Sequence, residues 1–326
     1  MTIRSSAISI VFQGSIGSIN SPERVGFRGA LKSAQTFYPE AEIIASTWKG
    51  CLDEDFPGIT LVECEDPGPI VCSGNLIINI NRQLVSTREG LARATRPYVI
   101  KVRTDMYFKN GLLFDWLERV ERPRNTLTCQ RIIVLNLTSR NPHGDQPYPF
   151  HVCDWLYAGL REDVTALFAV DNYPPAWVEW FTPGKKPQND PIRAAMCRYY
   201  SEPYIWYSFV SRVTGVVMEH SSDDRPEIVD ASERIAAENL IMLDSERAGI
   251  GSIKHAIPFD YHYTNYSYKE WLRLLSLHSV RHSLPRSWFD WEKARANFQH
   301  FVRPRLDWLL SQIGRPYRKV LRCLSK

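Results

Sequence analysis

Three charged side chains crowd the end of one short apolar run, Pro97-Tyr98-Val99-Ile100-Lys101-Val102-Arg103-Thr104-Asp105-Met106. Strand alternation puts Tyr98, Ile100 and Val102 on one face, and Val99, Lys101, Arg103 and Asp105 on the other. A half-buried structural strand has little use for so much charge in its C-terminal half. In open α/β sheets, ligands bind just outside the carboxyl ends of strands. Two cations followed by a carboxylate suit an anionic ligand accompanied by a metal ion. A sheet edge with solvated charges is the competing reading of the same residues. Two more carboxylates stand where chemistry is practical: Asp154 on an expected strand and Glu202 at an expected helix start.

Other chemistries lack their parts. The chain has no H-E-x-x-H, P-loop, EF-hand loop or G-x-S-x-G elbow. Its eight histidines are dispersed, so a lone one such as His151 or His262 reads as an ordinary core or surface residue. Seven cysteines without a C-x-x-C argue against a zinc site and a disulfide framework, and for a reducing compartment. Transfer of a sugar from a nucleotide diphosphate does fit. It needs cations for the leaving diphosphate, from Mg²⁺ or Mn²⁺ on a carboxylate or from Lys and Arg. An inverting transfer also needs a carboxylate base. Lys101, Arg103 and Asp105 suit the first task; Asp154 or Glu202 suits the second.

The elements that must position these residues are partly legible. Ala7–Gln13 is a continuous apolar run, as expected of a strand covered on both faces. It ends in Gln13-Gly14-Ser15-Ile16-Gly17-Ser18, a small-residue loop that is not G-x-G-x-x-G, which excludes an NAD fingerprint. That loop can bring backbone amides up to a phosphate or a base, or be a plain turn. Ser21 as N-cap and Pro22 at the first helical position open a helix with Phe27, Leu31, Ala34 and Tyr38 on its buried face. Strands over 41–47 and 59–64 complete a β-α-β opening, which predicts a parallel sheet.

Residues 75–95 read as a helix with Ile77, Ile80, Leu84, Leu91 and Ala94 buried, stopped by Pro97. Its polar start, Asn79 through Gln83, can face a ligand or solvent. Helix is expected over 112–120 and strand over 126–135 and 151–159, with a helix from about Arg161. The long loop 136–150 has the look of a lid. Another helix should begin at Pro203. From about 265 the pattern is helical and aromatic, with Trp271, Trp288, Trp291 and Trp308.

Charge is uneven. Residues 303–326 carry seven Lys/Arg and one acid, leaving 33 bases against 35 acids elsewhere. A basic tail on a near-neutral body suggests an anionic lipid surface and does not suggest nucleic acid. The apolar run near the N-terminus is too short for a signal peptide, and no stretch is long enough to span a membrane.

Several of these segments together resemble the WavE lipopolysaccharide-synthesis proteins. They are the first strand with Gln13-Gly14, Ser46-Thr47-Trp48-Lys49, Asn79 to Gln83 with its helix through Gly90, Lys101 to Met106, Asp154 to Gly159, and Glu202 to Trp206. They occur in order over about two-thirds of the chain, and their specificity lies in that joint order. The resemblance implies a bacterial glycosyltransferase with a GT-A-like (Rossmann-like) α/β fold, a mixed sheet flanked by helices. With the aromatic and basic pattern from about 265, the expected division is a GT-A-like catalytic domain over 1–264 and a helical, basic extension over 265–326. Its substrates would be a nucleotide-sugar donor and a glycolipid or oligosaccharide acceptor at the inner face of the cytoplasmic membrane. Gln13, Gly14, Trp48, Asn79, Arg82 and Gln83 are expected to bind the nucleotide, and Lys101 and Arg103 the diphosphate. Asp105 is expected to hold a divalent metal, and Asp154, then Glu202, to act as base. Two residues depart from what is expected: Arg103 stands where GT-A enzymes have the first acid of D-x-D, and Pro203 follows Glu202 where the family pattern has Gln. Nucleotidyl or phosphosugar transfer, and an inactive membrane-bound assembly role, are the alternatives.

Overall fold

A computed structural model of the chain describes residues 3–17, 21–50, 56–73, 76–120, 127–144, 147–182, 184–188, 190, 195–253, 263–278, 291–306 and 308–309. His262, Trp288 and the basic run 310–326 lie outside the described residues.

The opening forms as its residues dictate. β1 (Ile8–Gln13) is buried along its whole length. α1 (Pro22–Phe37) starts where Ser21 Oγ accepts the Arg24 N–H at 3.1 Å, with Pro22 at a position that needs no donor. Its Phe27 meets Phe12 of β1 edge to face. β2 (Glu42–Trp48) and β3 (Thr60–Cys64) follow, parallel to β1 in the order β1-β2-β3.

The segment 75–95 is not all helix. β4 (Ile70–Cys72) and β5 (Leu76–Ile78) pair as an antiparallel hairpin, and α2 (Ile80–Arg93) begins only after Asn79. Ile77, expected in the buried face, is 58% exposed. Its apolar neighbours share the helical spacing by accident, and pairing with β4 wins. α2 lies close on the sheet because Gly90 has no side chain: a Cβ there would stand 2.5 Å from Val11 Cγ1 and 3.1 Å from Ser46 Cβ.

β6 (Tyr98–Arg103) pairs parallel with the other edge of β1. Thr104 and Asp105 form a turn into β7 (Met106–Phe108), so Asp105 sits just past the strand. α3 (Asp115–Arg119) and β8 (Ile132–Leu135) are shorter than the sequence predicts. β9 (Leu156–Leu160) starts after Asp154 and runs antiparallel between β6 and β8. α4 (Arg161–Phe168), α5 (Ser201–Thr214) and α6 (Pro226–Asn239) follow, then β10 (Leu240–Leu243) beside β8. The result is a mixed seven-stranded sheet, β10-β8-β9-β6-β1-β2-β3, with flanking helices.

The loop 136–150 is not a lid. Its described residues are mostly buried, and backbone bonds tie Asn136 to Leu243, Arg140 to His151 and Asn141 to Thr264. Beyond β10 come α7 (Ser245–Ala248), β11 (Ile250–Ser252) against β7, and α8 (Tyr268–His278). α8 packs on α6 and β10, and its Trp271 and Leu275 are fully buried in the main core. α9 (Trp291–Asn297) runs on into a π-helical turn through Val302.

Candidate functional site

Strand order fixes where a ligand belongs. β2 and β3 extend the sheet to one side of β1, and β6 to the other, so the chain reverses its direction of growth between β1 and β6. Such a reversal opens a crevice beyond the carboxyl ends of the strands. A cleft of about 540 Å³ lies there, lined by Gln13, Gly14, Trp48, Asn79, Arg82, Gln83, Arg103, Asp105, Asp154 and Glu202 among others. Residues far apart in sequence meet because strand ends and the first turns of α1, α2 and α5 converge on it. Asp154 arrives by the opposite route. β9 is antiparallel, so the residues that enter it lie at the carboxyl end of β6.

Lys101 is the exception. In the β1–β6 register it stands beside Val11, and Arg103 beside Gln13, so all four share the face covered by α2 and α4. Lys101 is fully buried, its Nζ 5.5 Å from the Phe168 ring centroid and 2.6 Å from the backbone oxygen of Asp154. Alternation assigned its face correctly but not its depth. Two residues further on, Arg103 clears the helices and reaches the cleft. Burial pulls the Lys101 pKa down to about 8, against the attraction of Asp154. Lys101 therefore fastens the backbone of Asp154 from behind, as does Gln83 Nε2 at 3.1 Å.

The loop after β1 is built for close approach. Gly14 has φ +123°, and a Cβ there would lie 3.3 Å from Thr104 Oγ1. Its N–H donates to Ser46 O at 3.1 Å, while Thr104 donates through N–H to Gln13 O and through Oγ1 to Ser15 O. The Gln13 amide nitrogen turns inward to Ser86 Oγ at 3.0 Å. Across the cleft, Arg82 forks onto Asp66 at 2.7 and 2.6 Å and donates to Asn79 Oδ1 at 3.2 Å. That fork holds the Asp66 carboxyl below its usual range.

At the centre, Arg103 donates through Nε and Nη2 to the two oxygens of Asp105, at 3.0 and 2.6 Å. The guanidinium lies over the Trp155 ring, 4.5 Å from its centroid. Burial works against the arginine's charge, but Asp105 more than offsets it and raises the pKa. Magnesium is held through one or two carboxylates plus substrate phosphates. Here one carboxylate stands at the expected metal position, its charge matched and both oxygens engaged by Arg103. Among the described residues there is no group of three or more His, Cys, Asp or Glu able to hold a metal. This donor set does not fit a divalent cation.

Asp154 and Glu202 form the other wall. Asp154 is buried, and burial first, then the charge of Glu202, pushes its carboxyl up, against Lys101 and Arg103. Glu202 lies in the first turn of α5, its side chain 25% exposed and 3.9 Å from His151 Nε2. Burial pushes it up too, against its own backbone N–H and the charges of Arg140 and Arg103. His151 is buried against Tyr148 and its pKa falls to about 3, so it faces Glu202 neutral. A general base needs an affinity raised toward the working pH, and both carboxyls have one.

Sequence reasoning missed Trp155, Thr104, Asp66 and Ser201. Trp155 adjoins a chosen acid, but only the tertiary arrangement sets its ring under Arg103. Asp66 carried no local signal.

A family model described as WavE lipopolysaccharide synthesis matches residues 8–300. No curated protein matches the chain. Among solved structures, a 4-diphosphocytidyl-2C-methyl-D-erythritol synthase from Anaerococcus prevotii DSM 20548 is similar at 13% identity, with a TM-score of 0.32. The match covers 56% of this chain and 85% of that one.

Proposed function

The chain belongs to the WavE lipopolysaccharide synthesis family, and on that premise we propose that it is a glycosyltransferase. It moves a sugar from a nucleotide-diphosphate donor to a lipopolysaccharide-core or surface-polysaccharide acceptor, on a GT-A-like domain. The observation that carries this reading is one cleft in which arginines face two carboxyls of raised proton affinity.

In this reading Gln13, Gly14, Trp48, Asn79, Arg82 and Gln83 receive the nucleotide, and Arg103 the diphosphate. The acceptor oxygen forms a bond to the anomeric carbon as the bond from that carbon to the diphosphate oxygen breaks. The diphosphate leaves with the electron pair, and Asp154 takes the acceptor's proton. Lys101 and Gln83 fix Asp154 through its carbonyl. Glu202 acts on Asp154 by its charge. Binding can be tested by thermal denaturation against a panel of nucleotide sugars. A donor at 100 times its Kd adds about 2.7 kcal/mol of stability, and a panel with no stabilising member would refute the reading.

Glu202 makes a pH prediction. Activity needs Asp154 ionised, so it rises with pH through a midpoint above the ordinary aspartate range. Glu202→Gln removes a charge that raises that midpoint, so the acid limb of the kcat/KM profile should move to lower pH. An unmoved or raised limb would separate the two carboxyls.

We further propose that the protein works at the anionic inner surface of the cytoplasmic membrane. Among the described residues no helix is long and apolar enough to cross a membrane. Support comes from the basic tail and from exposed Trp291, Phe298, Leu306 and Leu309 beside it. Deleting 303–326 should shift the protein from membrane to soluble fractions; an unchanged distribution removes the tail from the account.

A further inference from the structure

We propose that the cleft binds its diphosphate through the Arg103 guanidinium, braced between Asp105 and Trp155, and needs no divalent cation to do so. The inference rests on the glycosyltransferase reading and deepens it by naming how the leaving group is held. It changes the role of Asp105 from a metal ligand to a positioning residue that acts through Arg103.

The geometry points there from three sides. Asp105 engages the Nε and Nη2 edge of Arg103 with both oxygens, which fixes the plane of the fork. A guanidinium carries five N–H donors, so those two bonds leave the Nη1 pair and the second Nη2 hydrogen for another acceptor. Planar, bidentate donors of this kind match phosphate oxygens and stay charged at any working pH.

Trp155 supplies the second brace. Its ring lies against one face of the guanidinium at 4.5 Å, and its backbone oxygen accepts the Arg103 N–H at 3.2 Å. The arginine is thus held in place before any ligand arrives, with 28% of its side chain exposed. Position is the third argument. Arg103 ends β6 beside Gln13, which ends β1 and leads into the Gly14 loop, so the fork and the loop flank the same crevice. A metal at Asp105 would have to pull the carboxylate off this fork and stand next to an arginine whose charge it had just uncovered.

The test is calorimetric titration of the full chain with UDP, GDP, CDP and ADP, in EDTA and again in MnCl₂ or MgCl₂. The nucleoside diphosphate that binds best should keep its Kd within about twofold across these buffers. Arg103→Met should weaken it by about tenfold or more in each buffer, and Arg103→Lys should restore part of the loss, since it keeps charge but not the fork. Asp105→Asn should weaken binding several-fold in EDTA, where a metal ligand would have nothing to lose. Thermal melts of the variants establish that they fold. A Kd at least tenfold weaker in EDTA, with the metal's gain abolished by Asp105→Asn and kept by Arg103→Met, would overturn the proposal and leave the glycosyltransferase reading standing. Absence of nucleotide binding in every buffer would remove both.

Discussion

Asp154→Asn is expected to lower turnover by about 10²–10⁴-fold, the usual worth of a general base, while donor binding changes only a few-fold. Asparagine keeps the shape of the side chain. The backbone clamp from Lys101 and Gln83 acts on the carbonyl of residue 154 and survives the change. What is lost is the proton acceptor, in a setting that raises its affinity by burial and by the neighbouring charge of Glu202, together with the negative charge that Lys101 and Arg103 face. The measurement is kcat and KM for sugar transfer beside the donor Kd. A kcat that falls with KM and Kd nearly constant assigns the base. Wild-type turnover in Asp154→Asn together with its loss in Glu202→Gln would move the role to Glu202.

Asp190→Ala should strongly destabilise the fold at a place outside the cleft. Asp190 is 2% exposed and accepts from Tyr200 Oη at 2.9 Å, Ser222 Oγ at 3.0 Å and Tyr148 Oη at 3.3 Å. Lys186 Nζ stands 3.5 Å away, itself nearly buried. Removing the carboxylate strips a buried ammonium of its counter-charge, a loss on the order of 3–5 kcal/mol. Urea unfolding measures it. Tyr200 immediately precedes α5, and its N–H is held by Ser221 Oγ at 2.8 Å, so the damage reaches the turn that carries Glu202. Replacing both partners, Lys186→Met with Asp190→Leu, should cost less than Asp190→Ala alone, because no buried charge is then left. Near-wild-type stability of Asp190→Ala would show that the network adds nothing to the fold.

The legible parts of this fold are those set by local rules. Ser21 and Pro22 announce α1, and the unbroken apolar run of β1 announces a strand covered on both faces. The hairpin of β4 and β5 was hidden because Leu76–Ile78 continue the helical spacing of α2, and their pairing with Ile70–Cys72 is a long-range choice. The reversal of β9 was hidden for the same reason, although it is what carries Asp154 to the carboxyl end of β6. In the cleft, residue types at strand and helix ends singled out side chains that line one cavity. Lys101 misled because alternation gives a face and not a depth, and α4 covers that face until Arg103. Trp155 and Asp66 could not be read, since each matters only through an arginine it meets in space.

The most direct test of the central claim is the identity of the product released when the purified chain, a nucleotide sugar and a lipopolysaccharide-core acceptor are incubated together. Chromatography or mass spectrometry of the nucleotide pool reads it. A nucleoside diphosphate should appear in step with glycosylated acceptor, and both should be lost in Asp154→Asn. Release of pyrophosphate, or glycosylation that continues unchanged in that variant, would contradict it.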